Sequence, residues 1–370
     1  CQAVHPHPGW RDENPAGTGA AWYQREITIP AAWAGRRITV AAAYVNSYAV
    51  VYLDGERVGE IRFPAGEVNL TPVCRPGQKH VLSLLVVAMP LEGVMLSYND
   101  SNSAREVKGS VARRGLCGDV WLAATPAGAR LGDVKVDTSV RNGEIAFDAA
   151  LSDLSPGAEY TLRARVSENG RDIRDFLSKP FRKSDVKDGR MALTEKWRPE
   201  KLWDTHTPEN CYDVAVSLLD AGGKVLDTSF PIRFGFREFW IDGRDFYLNG
   251  TRIFLCAVPL DNAQIGAAWA TYDGARESLK RLQSFGINSV YTHNYGCEPG
   301  SHLSFAEILR AADDVGMLVS LSQPHFAHYD WDGEDADRTN GYARHAAFYV
   351  REAQNHPSVV MYSMSHNATG

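Results

Sequence analysis

The chain changes its hydrophobic period near residue 234. Before that point apolar and polar residues alternate in short runs broken by turn dipeptides, as half-buried antiparallel strands do. Residues 38–41, 48–53 and 81–87 read as strands, and Asp54-Gly55 as a tight hairpin turn. Residues 160–166 and 212–218 repeat the alternation, with glycine and aspartate turns between such runs. The two stretches, 22–126 and 129–233, predict two successive β-sandwiches. Beyond them a hairpin reaching Asn249-Gly250 leads into a strand at 253–258. A helical pattern at 272–285 follows, closed by Gly286 as the residue after the helix. Strand 288–292, helix 304–315 with Gly316, strand 318–321, helix 341–354 and strand 358–364 complete the run. Strands alternating with helices imply a parallel sheet.

Length and charge narrow the function classes. At 370 residues two or three domains are expected. A formal net charge of -6 argues against nucleic acid or an anionic membrane as the main partner. No run approaches the roughly 18 apolar residues of a membrane span. The six cysteines (Cys1, Cys74, Cys117, Cys211, Cys256 and Cys297) lack CxxC spacing, which speaks for buried thiols over zinc, redox or disulfide roles. No metal and no cofactor are expected. Cys1-Gln2 fits a mature bacterial lipoprotein start, which would put the protein in the periplasm or outside the cell. The early arrival of the first domain's opening motif fits a trimmed start instead.

Several motifs, in order, carry a family resemblance. Trp22-Tyr23-Gln24-Arg25-Glu26-Ile27-Thr28-Ile29-Pro30 matches the pattern W-Y-x-R-x-F-x-I-P. Residues 50–59 match V-x-x-N-G-x-x-V-G with Asp54 at the Asn position, and 115–122 match G-I-x-R-D-V-W-L with Gly118 at the Arg position. Leu202-Trp203-Asp204 with Pro208-Glu209-Asn210, then Phe234-Gly235-Phe236-Arg237 and Phe246-Tyr247-Leu248-Asn249-Gly250, follow. His356-Pro357-Ser358-Val359-Val360-Met361-Tyr362-Ser363 closes the series and leads to His366-Asn367. The chain thus resembles glycoside hydrolase family 2, the β-galactosidase, β-glucuronidase and β-mannosidase group. The resemblance implies a multidomain β plus α/β protein. A jelly-roll β-sandwich with a sugar-binding-like fold would span 1–127, and an immunoglobulin-like β-sandwich 128–234. The first half of a (β/α)8 TIM barrel would span 235–370. The rest of the barrel, with the family's nucleophile Glu on strand seven, is expected beyond Gly370.

The same resemblance exposes a rebuilt site. Family members end strand four in Asn-Glu, the Glu being the general acid/base; here His366 and Asn367 hold those positions. Retaining glycosidases work with two carboxyl groups about 5–5.5 Å apart. An amide can donate a hydrogen bond to the leaving oxygen but cannot cycle a proton. Asp261 stands at a family His position on strand one. On strand two Tyr291 replaces Arg, His293 replaces Ser and Asn294 replaces His, while Gln323 replaces an acidic residue after strand three. The candidate catalytic set is Asn367, His366 and His293, since histidine can shuttle a proton near neutral pH. The competing account of His366 is a hydrogen bond to a sugar hydroxyl or a backbone group. Candidate substrate contacts are Asp261, Asn294, Tyr291, Gln323, Trp331 and Tyr362.

Other features carry blander alternatives. Aromatic rings, among them Trp269, Tyr295, Phe326, Tyr329 and Trp331, could stack on sugar faces or fill the core. Glu298, Asp330, Asp332 and Glu334 are spare carboxylates near strand ends, and for the last three a solvated loop is the competing account. His325 and His328 lack a third metal ligand in sequence. Ser97-Tyr98-Asn99-Asp100 reads as a turn within reach of the site. The expected function is hydrolysis of terminal glycosidic bonds of an oligo- or polysaccharide on a retaining-type scaffold. A carbohydrate-binding pseudoenzyme without turnover is the alternative, and a homo-oligomer is compatible with either.

Overall fold

The computed structural model describes residues 19–88, 115, 116, 118–260, 262–265, 267–292, 305–322 and 342–363. They form a mostly β architecture built around successive cores. The first core lies between two antiparallel sheets. Its strands are β1 (Ala20–Thr28), β2 (Arg37–Ala42), β3 (Tyr48–Leu53), β4 (Glu56–Arg62), β5 (Gly66–Asn69), β6 (Lys79–Val87) and β7 (Val120–Thr125). One sheet runs β1-β6-β3-β4 and the other β5-β2-β7. Period-two alternation sends Ala49, Val51 and Leu53 of β3 into the core, against Ile38, Val40 and Leu84. Asp54 and Gly55 both take positive φ (51° and 86°), the backbone a two-residue hairpin between β3 and β4 needs.

A second core follows the same logic. Its strands are β8 (Arg130–Ser139), β9 (Glu144–Ser152), β10 (Glu159–Glu168), β11 (Arg171–Leu177), β12 (Arg190–Lys196), β13 (Tyr212–Asp220) and β14 (Val225–Thr228). Sheets β8-β9-β12 and β11-β10-β13-β14 enclose Phe147, Leu162, Val166, Val214 and Val216. Trp197 meets Tyr212 and Phe236 edge-on, with ring centroids 5.2 Å and 5.4 Å away. Strand β8 has an open edge, and one side chain occupies it. Asn355 Nδ2 donates to the Val134 carbonyl and its Oδ1 accepts from the Val136 amide, both at 2.9 Å.

The third part begins with an antiparallel ribbon, β15 (Phe239–Asp242), β16 (Asp245–Leu248) and β17 (Thr251–Ile253). Four parallel strands follow in chain order: β18 (Ala257–Pro259), β19 (Ser289–Tyr291), β20 (Leu318–Ser322) and β21 (Val359–Ser363). Between them run α1 (Tyr272–Gln283), α2 (Phe305–Val315) and α3 (Tyr342–Ala353). Thr271 caps α1 by accepting from the Gly274 amide at 3.1 Å, and Gly286 and Gly316 follow α1 and α2 at φ of 81° and 77°. The single strand expected at 253–258 is broken, because residue 253 belongs to the ribbon and residue 257 to the parallel sheet. Asn288 bridges the break: its Oδ1 accepts from the Cys256 amide at 2.8 Å and its Nδ2 donates to the Phe254 carbonyl at 2.7 Å. A side-chain amide thus satisfies backbone groups where the chain changes sheets, which hydrophobic periodicity cannot reveal.

Candidate functional site at the carboxyl ends of the parallel strands

Paired residues of a parallel ladder face the same side, so register assigns each row a face. Val258, Val290, Val319 and Val359 form one row and pack among Leu279, Leu309 and Ala312 of the helices. The next row, Pro259, Tyr291, Ser320 and Met361, therefore lies on the face away from the helices. Beyond it Ser322 pairs with Ser363 on that same face. Thr292 ties the ends of β19 and β20 together. Its amide donates to the Ser320 carbonyl at 3.1 Å, and its Oγ1 accepts from the Ser322 amide at 2.8 Å. The result is a small polar platform, where Ser320, Ser322 and Ser363 share a face with Tyr291 at the strand ends.

Tyr291 stands in this platform, half-buried, and its carbonyl accepts from the Leu260 amide at 3.0 Å. Tyr362 does not join it. It pairs with Leu321, which packs among the helices, and 40% of its surface is exposed. The two tyrosines expected to touch substrate therefore occupy opposite faces of the sheet. Trp269 is half-buried in the short helix Ala267–Ala270. The remaining candidates, Asn367, His366, His293, Asp261, Asn294, Gln323 and Trp331, lie outside the described residues. So do Glu298, Asp330, Asp332, Glu334, His325, His328, Tyr295, Phe326, Tyr329 and the 97–100 turn. Among the described residues no group of three His, Cys, Asp or Glu side chains could hold a metal, and no helix is long and apolar enough to cross a membrane.

Two charged residues without an assigned role underlie the platform. Arg237, from the Phe234–Arg237 motif, donates through Nε to the Pro357 carbonyl at 2.9 Å and through Nη2 to the Val359 carbonyl at 2.6 Å. Desolvation lowers its guanidinium pKa, while the surrounding acidic groups and Tyr362 oppose the shift. Asp313, near the end of α2, is buried, and its carboxylate meets Ser358 and His356. Its only sequence signal is an acidic residue on the apolar side of an amphipathic helix, beside Ala312 and Val315. Close by, burial pushes the Cys211 thiol up to about 12, with Arg233 opposing. A separate groove of about 450 Å³ lies between edge strands β1 and β7, lined in part by Tyr23, Arg25, Leu84 and Trp121.

Comparison with known proteins identifies the scaffold. No family model matches the chain. It is 26% identical over 263 residues to a β-galactosidase of Arthrobacter sp. (strain B7), covering 69% of this chain and 23% of that protein. It is 22% identical over 375 residues to a β-glucuronidase of Paenibacillus borealis, covering 95% and 59%. The chain therefore spans under two thirds of the length of these relatives. Among solved structures, a glycosyl hydrolase family 2 member from Bacteroides cellulosilyticus DSM 14838 superposes with a TM-score of 0.69 at 20% identity, covering 98% of this chain and 48% of that one. Bacteroides uniformis β-glucuronidase gives 0.66 at 22%, covering 93% and 40%. The likeness to the solved structures is one of fold, and it runs along nearly the whole chain.

Proposed function

We propose, from a fold shared with a solved glycosyl hydrolase family 2 member, that the whole protein is a glycosidase acting on terminal linkages of an oligo- or polysaccharide. The observation that supports this best is the match of nearly the entire chain to the fold of solved family members. On this reading residues 1–127 form the jelly roll, 128–234 the immunoglobulin-like sandwich, and 235–370 the first half of a TIM barrel. The four parallel strands, in chain order with helices between them, suit the opening of such a barrel. The polar platform at their carboxyl ends lies where barrel enzymes place their chemistry. The names of the relatives make a β-linked galactose or glucuronic acid the first substrates to try.

On this reading Asn367 takes the leaving-group side as a hydrogen-bond donor, with His366 or His293 as the proton carrier. With no carboxyl group there, substrates whose leaving group needs no protonation should react far better than natural linkages.

The test uses the full-length protein with paired aryl glycosides of activated and unactivated leaving groups. Cleavage of the activated member alone is expected. Asn367→Glu should then raise turnover of the unactivated one by about 10²-fold or more, the usual reach of general acid catalysis. Calorimetric sugar binding with neither substrate cleaved would instead describe a binding protein without turnover. Proton NMR of the first-formed anomer checks the retaining stereochemistry.

A further inference from the structure

Strand β21 leaves regular register immediately after its first pair. Val319 lies opposite Val359, yet Ser320 lies opposite Met361, so Val360 is an extra residue. Val359 packs among the helices, whereas Val360 packs with Leu318 and Trp203 on the other side. Met361 shares the row of Ser320 and faces that side as well. Two successive side chains on one face mark a β-bulge, a device that re-aims the side chains following it. Without the extra residue, regular pairing would set Val360 opposite Ser320 and Tyr362 opposite Ser322. Tyr362 would then turn to the platform face, and Met361 and Ser363 would turn away, because a one-residue slip exchanges the faces of a strand.

The residues just before the bulge are pinned from three directions. Asp313 Oδ1 accepts from both the amide of Ser358 at 3.0 Å and its Oγ at 2.6 Å. Asp313 Oδ2 lies 2.6 Å from His356 Nδ1. Asp313 is itself held, because the buried indole of Trp203 donates to its carbonyl at 3.1 Å. Arg237 fixes the carbonyls on either side of Ser358, and the Ser358 carbonyl accepts from the Val319 amide at 2.8 Å. Ser358 is fully buried and Asp313 nearly so. The Asp313 carboxylate grips both the side chain and the backbone amide of Ser358.

We propose that Asp313 is a positioning residue for the fourth parallel strand, holding Ser358 so that the extra residue falls at Val360. It thereby decides which alternate side chains of β21 join Tyr291 and Ser320 at the platform. Asp313 acts through Ser358. The register claim stands on the contacts alone; its kinetic consequence rests on the glycosidase reading.

The experiment compares the full-length protein with its Asp313→Ala, Asp313→Asn and Ser358→Ala variants, by crystal structure and by turnover of an activated aryl glycoside. In Asp313→Ala the bulge should move or vanish, bringing Tyr362 opposite Ser322. Its kcat should fall about 10²-fold with KM within about threefold, the cost of a small misplacement near a site. Asp313→Asn keeps an acceptor for Ser358 and should recover most of the loss. If Asp313→Ala does not fold, Asp313→Asn and Ser358→Ala are read for a smaller change in the same direction. Met361 still opposite Ser320 in the Asp313→Ala and Ser358→Ala structures would overturn the proposal, whatever the turnover. So would a shifted strand with unchanged kcat. Absence of turnover in the unaltered protein would sink the glycosidase reading alone, leaving the structures to decide the register.

Discussion

Gly235→Ala tests how tightly the motif before the ribbon is packed against the fourth parallel strand. A Cβ at position 235 would lie 2.5 Å from Trp203 Cβ, 2.7 Å from Pro357 Cβ and 2.8 Å from Trp203 Cγ. Two of these neighbours are β-carbons, which no rotamer change can move, so relief requires a backbone shift. Trp203 is fully buried and its indole is tied to the Asp313 carbonyl, while Pro357 is held through its own carbonyl by Arg237. Glycine-to-alanine exchange normally stabilises by about 0.4–1 kcal/mol through the unfolded chain where the backbone allows it. Overpacking costs about 1–3 kcal/mol, and with both neighbours anchored the upper end applies. The net loss is about 2 kcal/mol, which lowers a melting midpoint by about 6–12 °C at this domain size. Gly128→Ala is the control, because a Cβ there meets nothing within 4 Å. Circular dichroism melts of the two variants beside the parent protein decide the matter. A Gly235→Ala midpoint equal to that of Gly128→Ala would refute the packing argument.

Three further outcomes are expected. Trp203→Phe leaves the Asp313 carbonyl, a helix-end acceptor in a buried place, without its donor, and should cost about 1–3 kcal/mol in denaturant midpoint measurements; no loss would mean that another group takes over. Acid should destabilise the first two cores. Glu60 is held below the ordinary carboxylate range by Tyr48 and Arg62, Asp54 by the Val81 amide and His80, Asp153 by Arg130 and Asp175 by Arg163. A lowered folded pKa contributes stability that is complete above the unfolded value and lost as pH falls through the folded one. Melting temperature should therefore hold level from neutrality to about pH 5 and drop below about pH 4, and a flat profile down to pH 3 would contradict it. Cys211, with its thiol at about 12, should resist alkylation at pH 8 in the native protein and react once denaturant is added, as peptide mass mapping would show.

Much of the architecture was legible because its signals are local. The alternation of 48–53, the Asp54-Gly55 turn and the glycines after α1 and α2 each encode a backbone conformation within a few residues. The motif at 356–363 likewise announced a strand, and a strand is there. What sequence could not supply was long-range pairing. The break between β17 and β18 depends on Asn288, more than thirty positions away from the groups it satisfies. The bulge in β21 is invisible to periodicity, since Val360 and Met361 are both apolar and suit either face. For the same reason Tyr362, read as a pocket residue from its motif position, lies on the face opposite Tyr291. Asp313 had no motif at all, and its role follows only from what the fold brings within 3 Å of it.

The amide of Asn355 bears on how the protein fails. By imitating a peptide group at the edge of β8 it occupies a place where another chain's strand could add. Should heat separate α3 from that sheet before the sheet itself unfolds, the vacated edge becomes a template for foreign backbone. Loss on heating would then be a bimolecular event, faster at higher protein concentration and not reversed by cooling. The side chain that docks two cores would in that case also set the shelf life of the molecule.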